Sequence, residues 1–213
     1  TPGQRQTTDV DKLRKRLEAA GRSADEIAEL IETGHSWRDP EAGPRHRATV
    51  AALAREYGVP LASHDDATVE HVEEAHAFGC VIAEFPVRLE AARRARALGL
   101  SNFMGGPNFV RGGSHSGNLS AQELAREGLL DGLTSDYVPL SMIRAAFMLT
   151  EAPFGWSLPD AIATVAGHPA QACGLKDRGA LAQGLRADLV RVARAPGGWP
   201  IPREVWREGR RVA

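Results

Sequence analysis

Cysteine is scarce. The two in 213 residues, Cys80 and Cys173, sit in neither a CxxC nor a Cys/His spacing. That excludes a disulfide-stapled scaffold and a cysteine-built zinc site, and both thiols are expected to be buried in a reducing compartment. Basic surplus is missing too. Lys plus Arg number 26 against 27 Asp plus Glu, a net charge of −1. A general nucleic-acid binder carries a basic excess, so nucleic acid is not an expected partner. Long apolar runs are also lacking. None approaches the roughly 20 residues that cross a bilayer, so no membrane role is expected. The opening Thr1-Pro2-Gly3-Gln4-Arg5-Gln6 has neither the apolar core of a secretory signal nor an initiator Met. The expected setting is cytoplasmic, and the expected chain is one that begins in mid-protein or has been cut or processed.

What remains is ordinary for a globular domain: 43% hydrophobic and 25% charged. From Val59 onward, short apolar runs alternate with helical patterns. Val59 to Ser63 ends in His64-Asp65-Asp66; Cys80 to Ala83 ends in Glu84; Leu100 to Met104 leads into a Gly-rich stretch; Leu129 to Ser135 ends in Asp136. Helices are predicted between them, one with Val69, Val72 and Ala75 on a face and one over Arg88 to Leu98. Another opens on Ser120-Ala121-Gln122-Glu123, a capping box. Strand, loop, helix, repeated, predicts a parallel α/β sheet. The polar residues fall at the C-terminal ends of the strands, where both barrels and open sheets build their sites. Residues 1–47 read as a charged helical excursion on the rim and 48–178 as the strand–helix units with following helices. Residues 179–213 read as a small β element, with Glu208-Gly209 at a hairpin turn.

Each polar strand end has two readings. His64 can ligate a metal, or its loop can simply cap the next helix through Asp66. Glu84 can contact metal or substrate, or be a solvated strand end. Asp136 can bind a metal and take a proton from water, or cap the helix starting near Leu140. Between Gly105 and Asn118 lies a Gly-rich segment that matches neither the P-loop nor the dinucleotide fingerprint. Its small residues would let backbone N–H groups converge on an anion, and Arg111 adds a bidentate phosphate donor. Read as a long loop, it is expected to bind phosphate through Asn108, Arg111, Gly112, Gly113, Ser114 and His115; a plain surface loop is the alternative.

Taken together, these stretches resemble the amidohydrolase superfamily. The segment His168 to Leu175, then Asp177 to Leu181 and Gly184 to Val190, is similar to that superfamily's return from barrel to small β-domain. Thr1 to Gln6, Ser63 to Asp66, Asn108 to Asn118 and Ser135-Asp136-Tyr137-Val138-Pro139 resemble its branch in the bacterial carbon–phosphorus lyase (phosphonate-degrading) pathway. The resemblance implies an α/β fold, the C-terminal half of a (β/α)8 metal-dependent hydrolase barrel, about strands five to eight, with part of a small β-domain. It implies a divalent metal (zinc, manganese or iron), with His64 as strand-five ligand and Asp136 as strand-eight ligand and proton acceptor. Glu84 stands where many members place a strand-six histidine. It implies a phosphorylated small-molecule substrate, α-D-ribose 1-methylphosphonate 5-triphosphate, cleaved to the 5-phosphate and pyrophosphate. The first-strand histidine pair would lie before Thr1, so this chain alone is expected to be inactive or nearly so. It would act as a homo-oligomer or by pairing with an N-terminal half. The alternatives are an amidohydrolase cleaving a C–N bond and an inactive half with a structural role.

Overall fold

The computed structural model describes residues 10–36, 42–114 and 117–213. They form two compact units, one up to Val59 and one from Pro60 onward. The first holds three helices: α1 (Val10–Ala19), α2 (Ala24–Ser36) and α3 (Ala42–Tyr57). A reciprocal pair opens α2: Ser23 N–H donates to the Glu26 carboxylate at 2.8 Å, and Glu26 N–H to Ser23 Oγ at 3.2 Å. Among the described residues no helix is long and apolar enough to cross a membrane.

The second unit is built on four parallel strands: β1 (Leu61–His64), β2 (Cys80–Glu84), β3 (Ser101–Gly105) and β4 (Gly132–Thr134). Each runs into a helix: α4 (Val69–Ala77), α5 (Leu89–Ala97), the pair α6 (Gly106–Arg111) and α7 (Ala121–Arg126), and α8 (Ser141–Leu149). The strand order is β1-β2-β3-β4. No reversal of order occurs among these four strands. A doubly wound sheet reverses its order at a switch point, whereas a barrel adds each strand beside the last. The chain has the α/β architecture of one arc of a (β/α) barrel.

Period-two alternation sorts the strand residues. Met104 and Leu133 join Phe109, Leu124, Leu130, Ala145 and Leu149 in the layer between sheet and helices, and Ala83 packs with Val72, Ala91, Ala95 and Leu100. Fully burying a Leu or Phe side chain contributes roughly 1.5–3 kcal/mol. Phe103, Gly105, Gly132 and Thr134 therefore face the other way. Gly132 is required there, because a Cβ on it would sit 2.5 Å from the Phe103 ring.

At the foot of β4, Asp131 ties three elements together. Its carboxylate accepts from Asn102 N–H at 2.8 Å and from Arg96 at 2.7 Å, and its carbonyl meets His168 Nδ1 at 2.7 Å. His168 belongs to α10 (Gly167–Ala172), which follows α9 (Leu158–Ala163). Beyond lies an antiparallel sheet of β5 (Leu189–Arg194), β6 (Pro200–Arg207) and β7 (Arg210–Arg211). Its hairpin turns at Glu208-Gly209, both at positive φ, the combination a two-residue turn between twisted strands needs. Arg144 of α8 stacks 4.4 Å from the Trp199 ring centroid and Arg194 lies 5.0 Å from that of Phe147, which fastens this sheet to α8.

Three local expectations need correcting. The Gly-rich stretch is not one loop: Gly106–Arg111 is a helix. Pro107 suits a first helical turn, and burial of Phe109 outweighs the glycine content. Thr68, not Asp66, caps α4, its hydroxyl accepting from His71 N–H; Asp66 is buried and accepts from Ser63 Oγ. Neither cysteine forms a disulfide and neither is buried: Cys80 is half-buried in β2, and Cys173, at the C-cap of α10, is exposed.

The capping box at Ser120 is present in full. Ser120 Oγ accepts from Glu123 N–H at 3.1 Å, and Ser120 N–H donates to the Glu123 carboxylate at 2.8 Å. The Ser120 hydroxyl, and then its backbone N–H, hold the Glu123 carboxyl below its ordinary value of 4.5. A depressed carboxyl contributes stability above its unfolded value and loses it as pH falls through the folded one. Ser120→Ala is expected to cost about 1 kcal/mol at neutral pH. That difference from wild type should shrink below pH 4.5 in urea titrations. An undiminished difference in acid would count against the carboxylate's part in the cap.

Candidate active site

The C-terminal ends of the strands share an unusual backbone feature. Four non-glycine residues among those described have positive φ: Asp65 (60°), Phe85 (53°), Asp136 (47°) and Glu208 (53°). Glu208 serves the hairpin. The other three stand just past β1, β2 and β4. A left-handed conformation is uncommon for any side-chain-bearing residue and a genuine outlier for a bulky one such as Phe; each costs of order 1–3 kcal/mol. Such strain persists only where surrounding bonds fix it. Here Asp65 N–H donates to Glu84 O and Phe85 N–H to Phe103 O, both at 2.9 Å.

His64 and Glu84 are register partners on adjacent strands, so their side chains share a face. His64 Nε2 lies 3.9 Å from Glu84 Oε2, while its Nδ1 meets Asp65 Oδ2 at 2.9 Å. The His64 side chain is 54% exposed and that of Glu84 30%. Against this pair stands Phe85, its ring centroid 5.4 Å from that of His64. On the far side is Gly105. A Cβ there would be 2.9 Å from the tip of the Phe85 ring and 3.1 Å from Asp136 Oδ2. His64, Glu84 and Asp136 thus lie at the C-terminal ends of the strands, with the Phe85 ring beside His64 and Gly105 close to both that ring and Asp136 Oδ2.

The phosphate-loop candidates separate. Asn108 is 7% exposed, and its side-chain carbonyl accepts from Ala121 N–H at 2.9 Å, joining α6 to α7. Arg111 ends α6 and is exposed; its Nε donates to Gly113 O at 3.1 Å, and its Nη1 lies 3.5 Å from the Tyr137 hydroxyl. Gly112 is the left-handed C-cap of α6, with φ of 83°. Gly113 and Ser114 follow in the short stretch after that cap. His115 lies outside the described residues.

The amidohydrolase family pattern matches residues 28–213. The chain belongs to the amidohydrolase family. It is 44% identical along its whole length to the α-D-ribose 1-methylphosphonate 5-triphosphate diphosphatase of Escherichia coli K12, and spans 56% of that protein. Among solved structures it resembles an adenosine deaminase from Xanthomonas campestris with bound zinc. That likeness has a TM-score of 0.56 at 20% identity, over 89% of this chain and 56% of that one. It also resembles A. niger ochratoxinase, with a TM-score of 0.52 at 15% identity, over 79% of this chain and 45% of that one. These two likenesses concern the fold.

A divalent cation is what this amidohydrolase fold implies, so the donors must be weighed against it. His64 and Glu84 fit as two members of one donor set, an imidazole and a carboxylate opposed across adjacent strand ends. Among the described residues no group of three His, Cys, Asp or Glu side chains is gathered closely enough to hold an ion. Among them His64 and Glu84 stand as a facing imidazole–carboxylate pair, which is short of a closed set of ligands.

Sequence reasoning passed over Asp65, Phe85 and Tyr137. Asp65 had a signal, since a carboxylate beside a possible ligand histidine is the usual orienting partner. Phe85 precedes Pro86, which disfavours a helical backbone but does not announce a left-handed one. Tyr137 lies in the Ser135–Pro139 stretch that carries the family resemblance, but only the fold brings it to Arg111.

Proposed function

We propose that this chain carries half of the active site of a diphosphatase that converts α-D-ribose 1-methylphosphonate 5-triphosphate to the 5-phosphate and pyrophosphate. The observation that carries the reading is the 44% identity along the whole chain to the Escherichia coli diphosphatase. The geometry is consistent with it, since a guanidinium and a carboxylate come from neighbouring strand ends, Arg111 beyond β3 and Asp136 beyond β4.

His64 and Glu84, joined by Asp136, would hold a divalent cation. When bound, such an ion lowers the pKa of water toward about 7 and screens charge on phosphoryl oxygens. Asp136, exposed at the strand end, accepts the proton of the attacking water. The water oxygen bonds to phosphorus, the bridging P–O bond between the first and second phosphates breaks, and pyrophosphate leaves with the electron pair. Arg111 donates to the leaving pyrophosphate and steadies its growing charge. Asp65 keeps the His64 ring oriented from Nδ1, leaving Nε2 toward Glu84. Ser114, Gly112, Gly113 and His115 complete the phosphate side of the reading. The setting is cytoplasmic, and the partner is a second copy or an N-terminal half.

The test is product analysis on the purified chain alone and on the chain joined to the N-terminal half of the Escherichia coli relative. Equal amounts of pyrophosphate and 5-phosphate are expected from the joined protein, and little from the chain alone. Ammonia release from cyclic amides or aminated bases, with no pyrophosphate from the triphosphate, would sink the reading in favour of C–N cleavage. Absence of both activities would favour a structural role.

A further inference from the structure

We propose that Tyr137 is a substrate-binding residue. Its phenol and the Arg111 guanidinium form a two-donor clamp on adjacent phosphoryl groups, so the site selects a chain of phosphates over a single one. This rests on the diphosphatase reading for its substrate but not for its geometry. Tyr137 is 64% exposed, so its ring is not committed to the core. The turn that carries it is stiff. Val138 N–H donates to Ser135 O at 2.9 Å, and Ser141 donates to Val138 O from both N–H (2.9 Å) and Oγ (2.5 Å). Asp136, left-handed at φ 47°, sits over Gly105 while the next residue extends to Arg111.

Donor counting gives the clamp its chemistry. The Arg111 Nε–H is taken by Gly113 O, and Nη1 points at the Tyr137 oxygen from 3.5 Å. Among the described residues no carboxylate pairs with Arg111 within salt-bridge distance. A phenol that accepts from a guanidinium keeps its own O–H to donate, and a guanidinium has five N–H groups. Two donors, one charged and one neutral, therefore remain for a ligand that offers several oxygens and no protons. Phosphoanhydride oxygens meet that demand, and a guanidinium fork suits them. Because Tyr137 follows Asp136 directly, a phosphate chain held by the clamp would bring its inner anhydride toward the proton-accepting carboxylate.

The experiment uses inorganic pyrophosphate and orthophosphate as probes in isothermal titration, on the chain and on the joined protein, with Tyr137→Phe and Tyr137→Ala. Steady-state kinetics run alongside. Wild type should bind pyrophosphate more tightly than orthophosphate. Tyr137→Phe should weaken pyrophosphate about tenfold, as loss of one hydrogen bond to a charged group does, and leave orthophosphate within about twofold. KM for the triphosphate should rise by a similar factor of about ten, with kcat changed less than about threefold. Equal pyrophosphate affinity in wild type and Tyr137→Phe overturns the clamp. So does a loss confined to kcat, or a wild type that does not bind pyrophosphate. The two readings fail separately. A wild type that holds pyrophosphate through Tyr137 yet releases none from the sugar triphosphate overturns the diphosphatase and keeps the clamp. Pyrophosphate release unaffected by Tyr137→Phe does the reverse.

Discussion

Asp136→Asn in the joined protein is expected to lower kcat for pyrophosphate release by about 10²–10⁴, the range a positioned proton acceptor contributes. Pyrophosphate affinity measured without added metal should stay within about threefold, since the clamp donors of Arg111 and Tyr137 are intact. The substitution is well suited to isolating chemistry from folding. Asp136 is exposed, so the amide is not buried unpaired. Its backbone is left-handed at φ 47°, and Asn is one of the few residues that tolerates that region. The turn should therefore keep its shape, and an unchanged melting temperature would verify it. Retention of more than about a third of wild-type kcat would remove Asp136 from the role, because the 10²-fold lower limit for such a group would not be reached.

Gly105→Ala should be nearly as damaging, by steric rather than chemical means. Gly105 has an ordinary φ of −71°, so Ala meets no backbone penalty. Its methyl would fall 2.9 Å from the Phe85 ring and 3.1 Å from Asp136 Oδ2. Phe85 cannot simply swing away, because its left-handed backbone is pinned by the N–H bond to Phe103 O. Overpacking of this kind costs about 1–3 kcal/mol, a fall of roughly 2–4 °C in Tm per kcal/mol for a chain this size. The carboxylate must shift as well, and a displacement of about 1 Å at a reacting group can remove about 10²-fold in rate. The double variant Phe85→Ala/Gly105→Ala opens the space again and should recover part of the stability. If Gly105→Ala melts and turns over like wild type, the contact between Phe85, Gly105 and Asp136 does not constrain the site.

What the sequence made legible was mostly local. The box Ser120–Glu123 and the turn Glu208-Gly209 are each specified by residues within four positions, and both form as read. The strand–helix alternation is equally visible, because the apolar runs starting at Val59, Cys80, Leu100 and Leu129 each follow directly on a glycine, Gly58, Gly79, Gly99 and Gly128. The failures came where distant packing decides. Gly105 to Gly113 is glycine-rich enough to read as a loop. Burial of Phe109 against Leu124, Leu133 and Leu149 turns its middle into a helix. Asn108 looked like a ligand-binding amide from its neighbours, yet the fold uses its carbonyl to receive the first N–H of α7. The left-handed Phe85 is set by cross-strand bonds that no local pattern encodes.

The anchorage of Asp131 bears on how such a site can change over time. β4 is three residues long, with the bracing of β3, α5 and α10 gathered at one extremity and the strained Asp136 at the other. The bracing and the strained residue are thereby separated by the whole of β4, about ten ångströms at roughly 3.3 Å for each of its three residues. New side chains can be tried beyond Thr134 without loosening the base beneath them, so this short strand behaves as a mounting post whose fittings are exchangeable while its footing is not.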